Sequence, residues 1–157
     1  CGFGSEIPFT GHSVVDGILY RYYLVARECG VHFAVEGTIT GTNVSELDLC
    51  LLLGNGLENS MDACQRIPEK DRFIRVEVEN SETLLSITIC NSFDGVLKRK
   101  KGKILSRKRE NEEGIGLKSM QEICEKYGGT LHIKQENKTF VLMLLLNNDT
   151  DIVSETK

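Results

Sequence analysis

The stretch "LLLGNGLENSMDAC", Leu51–Cys64, decides how this chain is read. Its apolar residues recur at helical spacing, yet Gly54, Asn55, Gly56 and Asn59 fall within six positions. Glycine inside a helix costs about 1 kcal/mol relative to alanine, and asparagine is also a poor helix former. On a helical wheel, Cys50, Leu53, Leu57, Met61 and Cys64 cluster as a core face. Asn55 and Asn59, four apart, share a second face at the border of that arc, beside Leu52. Such a border suits the wall of a cleft. An asparagine carboxamide oxygen is a hard ligand of the kind Mg²⁺ takes. The glycines leave room for backbone or ligand to approach. The plainer reading is two asparagines on a wet helix face, and on this stretch alone it stands.

Working outward, Ser45 and Asp48 have the S-x-x-D spacing of a capping box opening this helix. Ser13 and Asp16 repeat the signal upstream. Behind them Val15, Ile18, Tyr22, Ala26 and Cys29 follow helical spacing up to a stop at Gly30. "VHFAVEG" reads as a short strand. Downstream, "RFIRVEVE" and "LLSITIC" alternate apolar and polar residues as a β-hairpin. "GIGLKSMQEICEKYGG" is a third helix, with Leu117, Met120, Ile123, Cys124 and Tyr127 on its apolar face and Gly128–Gly129 as its stop. "TLHIKQ" and "TFVLMLLL" form a second hairpin. Residues 1–9 read as irregular, 92–113 as a long loop, and 147–157 as a flexible tail. The expected architecture is a single α/β (α+β) two-layer sandwich over 1–157, with helices on one face of a mixed, mostly antiparallel sheet.

Composition narrows the class. With 40% hydrophobic and 27% charged residues the chain is a globular mix. No run approaches the roughly 20 apolar residues that span a bilayer, so no membrane contact by this segment is expected. The first residue is Cys1, which suggests a piece of a longer protein. The six cysteines form no C-x-x-C pair, which argues for reduced thiols over a zinc site. The formal charge of −4 hides an asymmetry: "KRKKGKILSRKR", Lys98–Arg109, holds eight of the 19 basic residues. Such a segment attracts phosphates. It lacks the aromatics of a single-strand nucleic-acid binder, so no nucleic-acid partner is expected.

Two further motifs carry chemistry. "NSFDG", Asn91–Gly95, follows a strand and reads either as a turn or as a fixed oxygen acceptor at a sheet edge. "GIGL", Gly114–Leu117, opens a helix after the basic loop, where free N–H groups and glycines accept phosphate oxygens.

In this order the elements resemble the GHKL ATPase superfamily, and within it the ATP-binding catalytic domain of quorum-sensing-type sensor histidine kinases. "DLCLLLGNGLENSMDAC" is similar to the N box, "ITICNSFDG" to a modified first glycine box, and "GIGLKSMQEICEKYGG" to the second. The likeness runs from about Phe9 to Leu146. It implies the Bergerat fold, with about five strands and three helices on one face, and 92–113 as an ATP lid. It implies Mg²⁺ on Asn59, phosphates near Asn55, Gly114, Gly116 and Leu117, adenine on Asn91 beside Gly95, and a lid cation in Lys108. It implies ATP and Mg²⁺ as cofactors and no catalytic residue beyond these nucleotide-positioning groups. The chain would then donate the γ-phosphoryl to a histidine on a separate dimerisation domain, ahead of a response regulator, in the cytoplasmic part of a membrane-bound sensor. His12, His32 and His132 sit in no phosphoacceptor motif, so autophosphorylation by this chain alone is not expected. Phe93 replaces a glycine, Asp62 a basic residue and Glu113 a histidine of the pattern. Phe93 and Glu113 motivate the alternative, a degenerate ATP-binding signalling domain without kinase activity.

Overall fold

The computed structural model describes residues 7–96, 99–100, 103–104 and 115–148. Within them the helix α2 spans Glu46–Cys64. Ser45 caps it, accepting the Asp48 N–H at 3.2 Å through its hydroxyl. The reciprocal half of the expected box is absent. The Ser45 N–H donates to the Tyr127 hydroxyl at 3.0 Å, because the Asp48 side chain is engaged with a distant helix. The buried arc of α2 is Leu49, Leu52, Leu53, Gly56, Leu57, Ser60, Met61 and Cys64. Cys50, expected inside it, is only half-buried. The arc turns toward Gly56 because the sheet presses there: a Cβ on Gly56 would lie 2.6 Å from Ile89 Cδ1.

The first helix, α1, spans Ser13–Glu28. Its cap is His12 and not Ser13: His12 Nδ1 accepts the Val15 N–H at 3.4 Å. Asp16 instead reaches back to the preceding loop, accepting from Thr10 N at 2.6 Å, Thr10 Oγ1 at 2.7 Å and Gly11 N at 3.2 Å. Val15, Leu19, Tyr23 and Ala26 are its buried face, with Ile18 and Tyr22 at the margin. Gly30 ends it in the left-handed region, φ 66°.

Five strands form the main sheet: β1 (His32–Glu36), β2 (Phe73–Asn80), β3 (Leu84–Ser92), β6 (Thr130–Glu136) and β7 (Thr139–Asn147). Their order is β1-β2-β3-β7-β6, with β1 parallel to β2 and every other pair antiparallel. Two short strands, β4 (Arg99–Lys100) and β5 (Lys103–Ile104), pair by themselves inside the segment read as a loop. The third helix, α3, spans Ile115–Lys126. One core joins alternate strand residues, among them Ile74, Val76, Ile87, Ile89, Leu142 and Leu144, to the buried arcs of all three helices. The two-layer mixed architecture thus matches the expectation.

Two boundaries move. Ser92 belongs to β3 and is buried, as is Phe93, so the loop begins after them. Asn147 ends β7 and Asn148 is buried, so neither belongs to a tail. Asn148 accepts from Thr42 Oγ1 at 2.8 Å and Asn43 N at 3.1 Å, and donates to the carbonyls of Gly41 and Ser81.

Candidate functional site

The opening helix supplies the wall of the site. Asn55 is half-buried and Asn59 is exposed on the same face of α2. The N-terminal turn of α3 lies against that face: a Cβ built on Gly116 would sit 3.6 Å from Cβ, Cγ and Oδ1 of Asn55. The first N–H groups of a helix have no partner within it. Here they stand beside a carboxamide, with no side chain at Gly116 to fill the space between. On the opposite flank of α2, a Cβ on Gly54 would meet nothing within 4 Å, and the Gly54 carbonyl accepts from the Tyr22 hydroxyl at 3.3 Å. The two glycines therefore differ. Gly56 admits the sheet, while nothing in the structure explains Gly54.

Asn91 lies within β3, paired with Ile74 and Phe140, and not in a turn after the strand. It faces the helices and is 2% exposed. Its Oδ1 accepts from Ser60 Oγ at 3.0 Å, and its Nδ2 donates to the Ser92 carbonyl at 2.9 Å. Ser60 is the residue after Asn59, and its hydroxyl also lies 3.0 Å from the Gly56 carbonyl. The helix that carries Asn55 and Asn59 is thus bonded to the strand residue expected at the base. Sequence reading missed Ser60. Its one signal is that it falls four after Gly56, on the face the sheet presses.

The loop after Asn91 is tied to the β6–β7 turn. The Phe93 N–H donates to the Lys138 carbonyl at 3.0 Å, and Gln135 Nε2 donates to the Gly95 carbonyl at 3.1 Å. Phe93 is buried edge-on against Phe140, with centroids 5.9 Å apart. A side chain replacing the pattern's glycine is accommodated by this packing. Gly95 has φ 87°, the left-handed region that favours glycine.

The far end of α3 is latched to the start of α2. Asp48, 6% exposed, accepts from Tyr127 Oη at 2.6 Å and Lys126 Nζ at 2.9 Å. Burial pushes its carboxyl up, but the hydrogen bonds from Tyr127, Lys126 and Ser45 outweigh burial and hold it below its ordinary value. Together the latch and the contact at Gly116 position α3 along α2.

Leu117 is half-buried and packs on the core. Lys108, Gly114 and Glu113 lie outside the described residues. His12 caps α1, while His32 and His132 are exposed, with His132 Nε2 3.0 Å from Thr130 Oγ1. Among the described residues no group of three or more His, Cys, Asp or Glu could hold a metal ion. The five cysteines among the described residues are free thiols, and burial pushes Cys124 up to about 11. No helix among the described residues is long and apolar enough to cross a membrane.

Known proteins share sequence and fold with this chain. The chain is 26% identical over 128 residues to a probable C4-dicarboxylate sensor kinase of Halalkalibacterium halodurans, covering 76% of this chain and 24% of that protein. It is 25% identical over 125 residues to the protein of the same description from Bacillus subtilis, covering 74% and 23%. The chain thus spans about a quarter of the length of these relatives. The fold is that of the catalytic domain of histidine kinase ThkA, with TM-score 0.71, 16% identity, and 91% of this chain and 95% of that one covered. It is also that of the mycobacterial sensor histidine kinase MprB, with TM-score 0.61, 20% identity, and 87% and 93% covered. A family model for the GHKL domain matches residues 44–147, a span that holds α2, Asn91, α3 and the second hairpin. The chain belongs to the GHKL domain family.

Proposed function

We propose that this chain binds Mg-ATP and presents its terminal phosphoryl group to a histidine on another domain of the same sensor kinase. The observation that carries this reading is the meeting of three elements on one helix. Asn55 and Asn59 share a face of α2, the glycine-opened start of α3 abuts Asn55, and Ser60 bonds Asn91.

The residues fit a nucleotide. The space beside Asn55, which a Cβ on Gly116 would fill, suits a phosphate oxygen near helix N–H groups. Asn59 offers an exposed carboxamide oxygen for Mg²⁺. Asn91 offers a buried polar end for the base. Bound Mg²⁺ supplies neutralisation of phosphate charge, and phosphoryl transfer depends chiefly on that and on positioning. This chain's own part is to bind and orient. Lys108 and Gly114 join the phosphate contacts by resemblance alone. The receiving histidine, the response regulator downstream and any membrane segment would lie beyond this unit, which would sit in the cytoplasm. The relatives' description as C4-dicarboxylate sensors and the likeness to quorum-sensing kinases differ only in the signal, which would be read elsewhere.

Thermal stabilisation by ATP with and without Mg²⁺ tests the proposal, since a ligand bound only by the folded state raises the midpoint. The wild type is expected to rise more with Mg²⁺ than without, and Asn59→Ala to lose that increment. An Asn59→Ala protein that keeps the full Mg²⁺ increment overturns the metal assignment. Nucleotide binding without transfer to the acceptor domain in the full kinase favours the degenerate signalling role, to which the uncharged Asn91 lends support.

A further inference from the structure

The two ends of α3 meet α2 at two separated points. Gly116 lies against Asn55, while Tyr127 and Lys126 reach Asp48. The helices therefore run antiparallel. From Gly116 to Tyr127 the rise is roughly 16 Å, and from Asp48 to Asn55 roughly 10 Å. Side chains lean toward the start of their own helix, so the long Tyr127 and Lys126 side chains close the difference. Met120, Ile123 and Cys124 bury the face between, but apolar packing is non-directional. The Asp48 carboxylate sets distance and direction, with bonds of 2.6 and 2.9 Å. Tyr127 is held from a second side, since its carbonyl accepts the Asn147 N–H at 3.1 Å. A slip of α3 by one residue, about 1.5 Å, would break the Asp48 bonds and carry Gly116 off Asn55 by the same distance.

We propose that Tyr127 and Asp48 are positioning residues for the nucleotide phosphates, acting through α3 from its far end. The inference rests on the reading above, in which phosphate oxygens meet the start of α3 beside Asn55. N–H groups at a helix start hold an oxygen by direct hydrogen bonds, which weaken steeply as distance and angle depart from the ideal. Holding the end of α3 therefore holds its start. Lys126 is largely exposed and gives the same carboxylate a second, weaker partner. Tyr127, buried together with Asp48, carries the larger share.

Calorimetric titration with MgATP tests this on wild type, Tyr127→Phe, Lys126→Met, Gly116→Ala and the double variant of Tyr127→Phe with Gly116→Ala. Each is titrated well below its own thermal midpoint, so a loss of stability alone leaves affinity unchanged. Tyr127→Phe is expected to bind MgATP about tenfold more weakly, the worth of one hydrogen bond. Lys126→Met is expected to lose less. Substitutions at separated sites normally add. Here the double variant is expected to bind no more weakly than Gly116→Ala, because the contact that the latch positions is already gone. Wild-type affinity in Tyr127→Phe, or additive losses in the double variant, overturns the inference and leaves the nucleotide site standing. If the wild type binds no MgATP, or Gly116→Ala binds it as the wild type does, the phosphate assignment falls and the inference with it. Should Tyr127→Phe fail to fold, Lys126→Met and its double variant with Gly116→Ala carry the same comparison.

Discussion

The Tyr127 hydroxyl donates to Asp48 Oδ2 at 2.6 Å, joining the end of α3 to the first turn of α2 across 79 residues. The same oxygen of Tyr127 accepts the Ser45 N–H, so one phenol serves the cap and the carboxylate. Tyr127→Phe leaves the ring packed and removes both bonds. It is expected to cost roughly 1–3 kcal/mol, the range for a hydrogen bond to a charged group and an orphaned buried partner. Urea unfolding at neutral pH measures it, and an unchanged midpoint would show that the latch contributes nothing.

Asp48 also sets an acid dependence. Its folded carboxyl is held low, so its contribution is fully present above the unfolded-state value of about 3.9. That contribution is lost as pH falls through the lower folded value. Asp48→Asn lacks the group. Its midpoint is expected to start lower at pH 6 and to fall less steeply than the wild type's below about pH 4. Parallel curves would remove Asp48 from the acid response.

The two glycines of α2 are expected to respond in opposite directions. Gly54→Ala meets open space and gains helix propensity, so stability should rise by about 0.5–1 kcal/mol. Gly56→Ala drives a Cβ to within 2.6 Å of Ile89 Cδ1, so stability should fall by about 1–3 kcal/mol. Adding Ile89→Val removes that methyl and should recover part of the loss. Thermal midpoints of these variants and of Ile89→Val alone decide the matter, and additive losses in the double variant would deny the steric cause.

Gly116→Ala separates fold from ligand. Its Cβ would make ordinary contact with Asn55, and alanine is the better helix former, so the thermal midpoint should hold or rise. The space for a phosphate oxygen would be filled, and ATP affinity should drop by about tenfold. Calorimetric titration beside a melting curve tests both halves. Unchanged affinity would move the phosphates away from Gly116.

Local patterning made much of this legible. The period of α2 placed Asn55 and Asn59 on one border, alternation gave both hairpins, and Gly128 marked the end of α3. What stayed hidden depends on partners far along the chain. Asp48 looked like half of a capping box, but its carboxylate goes to Tyr127 and Lys126. Ser60 looked like a helix residue of no account until Asn91, 31 positions on, came to lie beside it. His12 and Ser13 can each cap a helix, and the choice turned on where Asp16 found its donors. The wheel placed Cys50 inside the arc because spacing alone cannot tell on which side of α2 the sheet presses.

The carboxamide of Asn148 ties three parts of the chain together. It fastens the end of β7 to the loop before α2 and to the β2–β3 turn, by bonds to Thr42, Asn43, Gly41 and Ser81. A chain cut after residue 148 keeps all of these contacts. One cut two residues earlier loses them together and leaves the loop that leads into α2 untethered. Truncation at this point would therefore act at a distance, loosening the entry to the helix that carries Asn55 and Asn59 with neither of them touched.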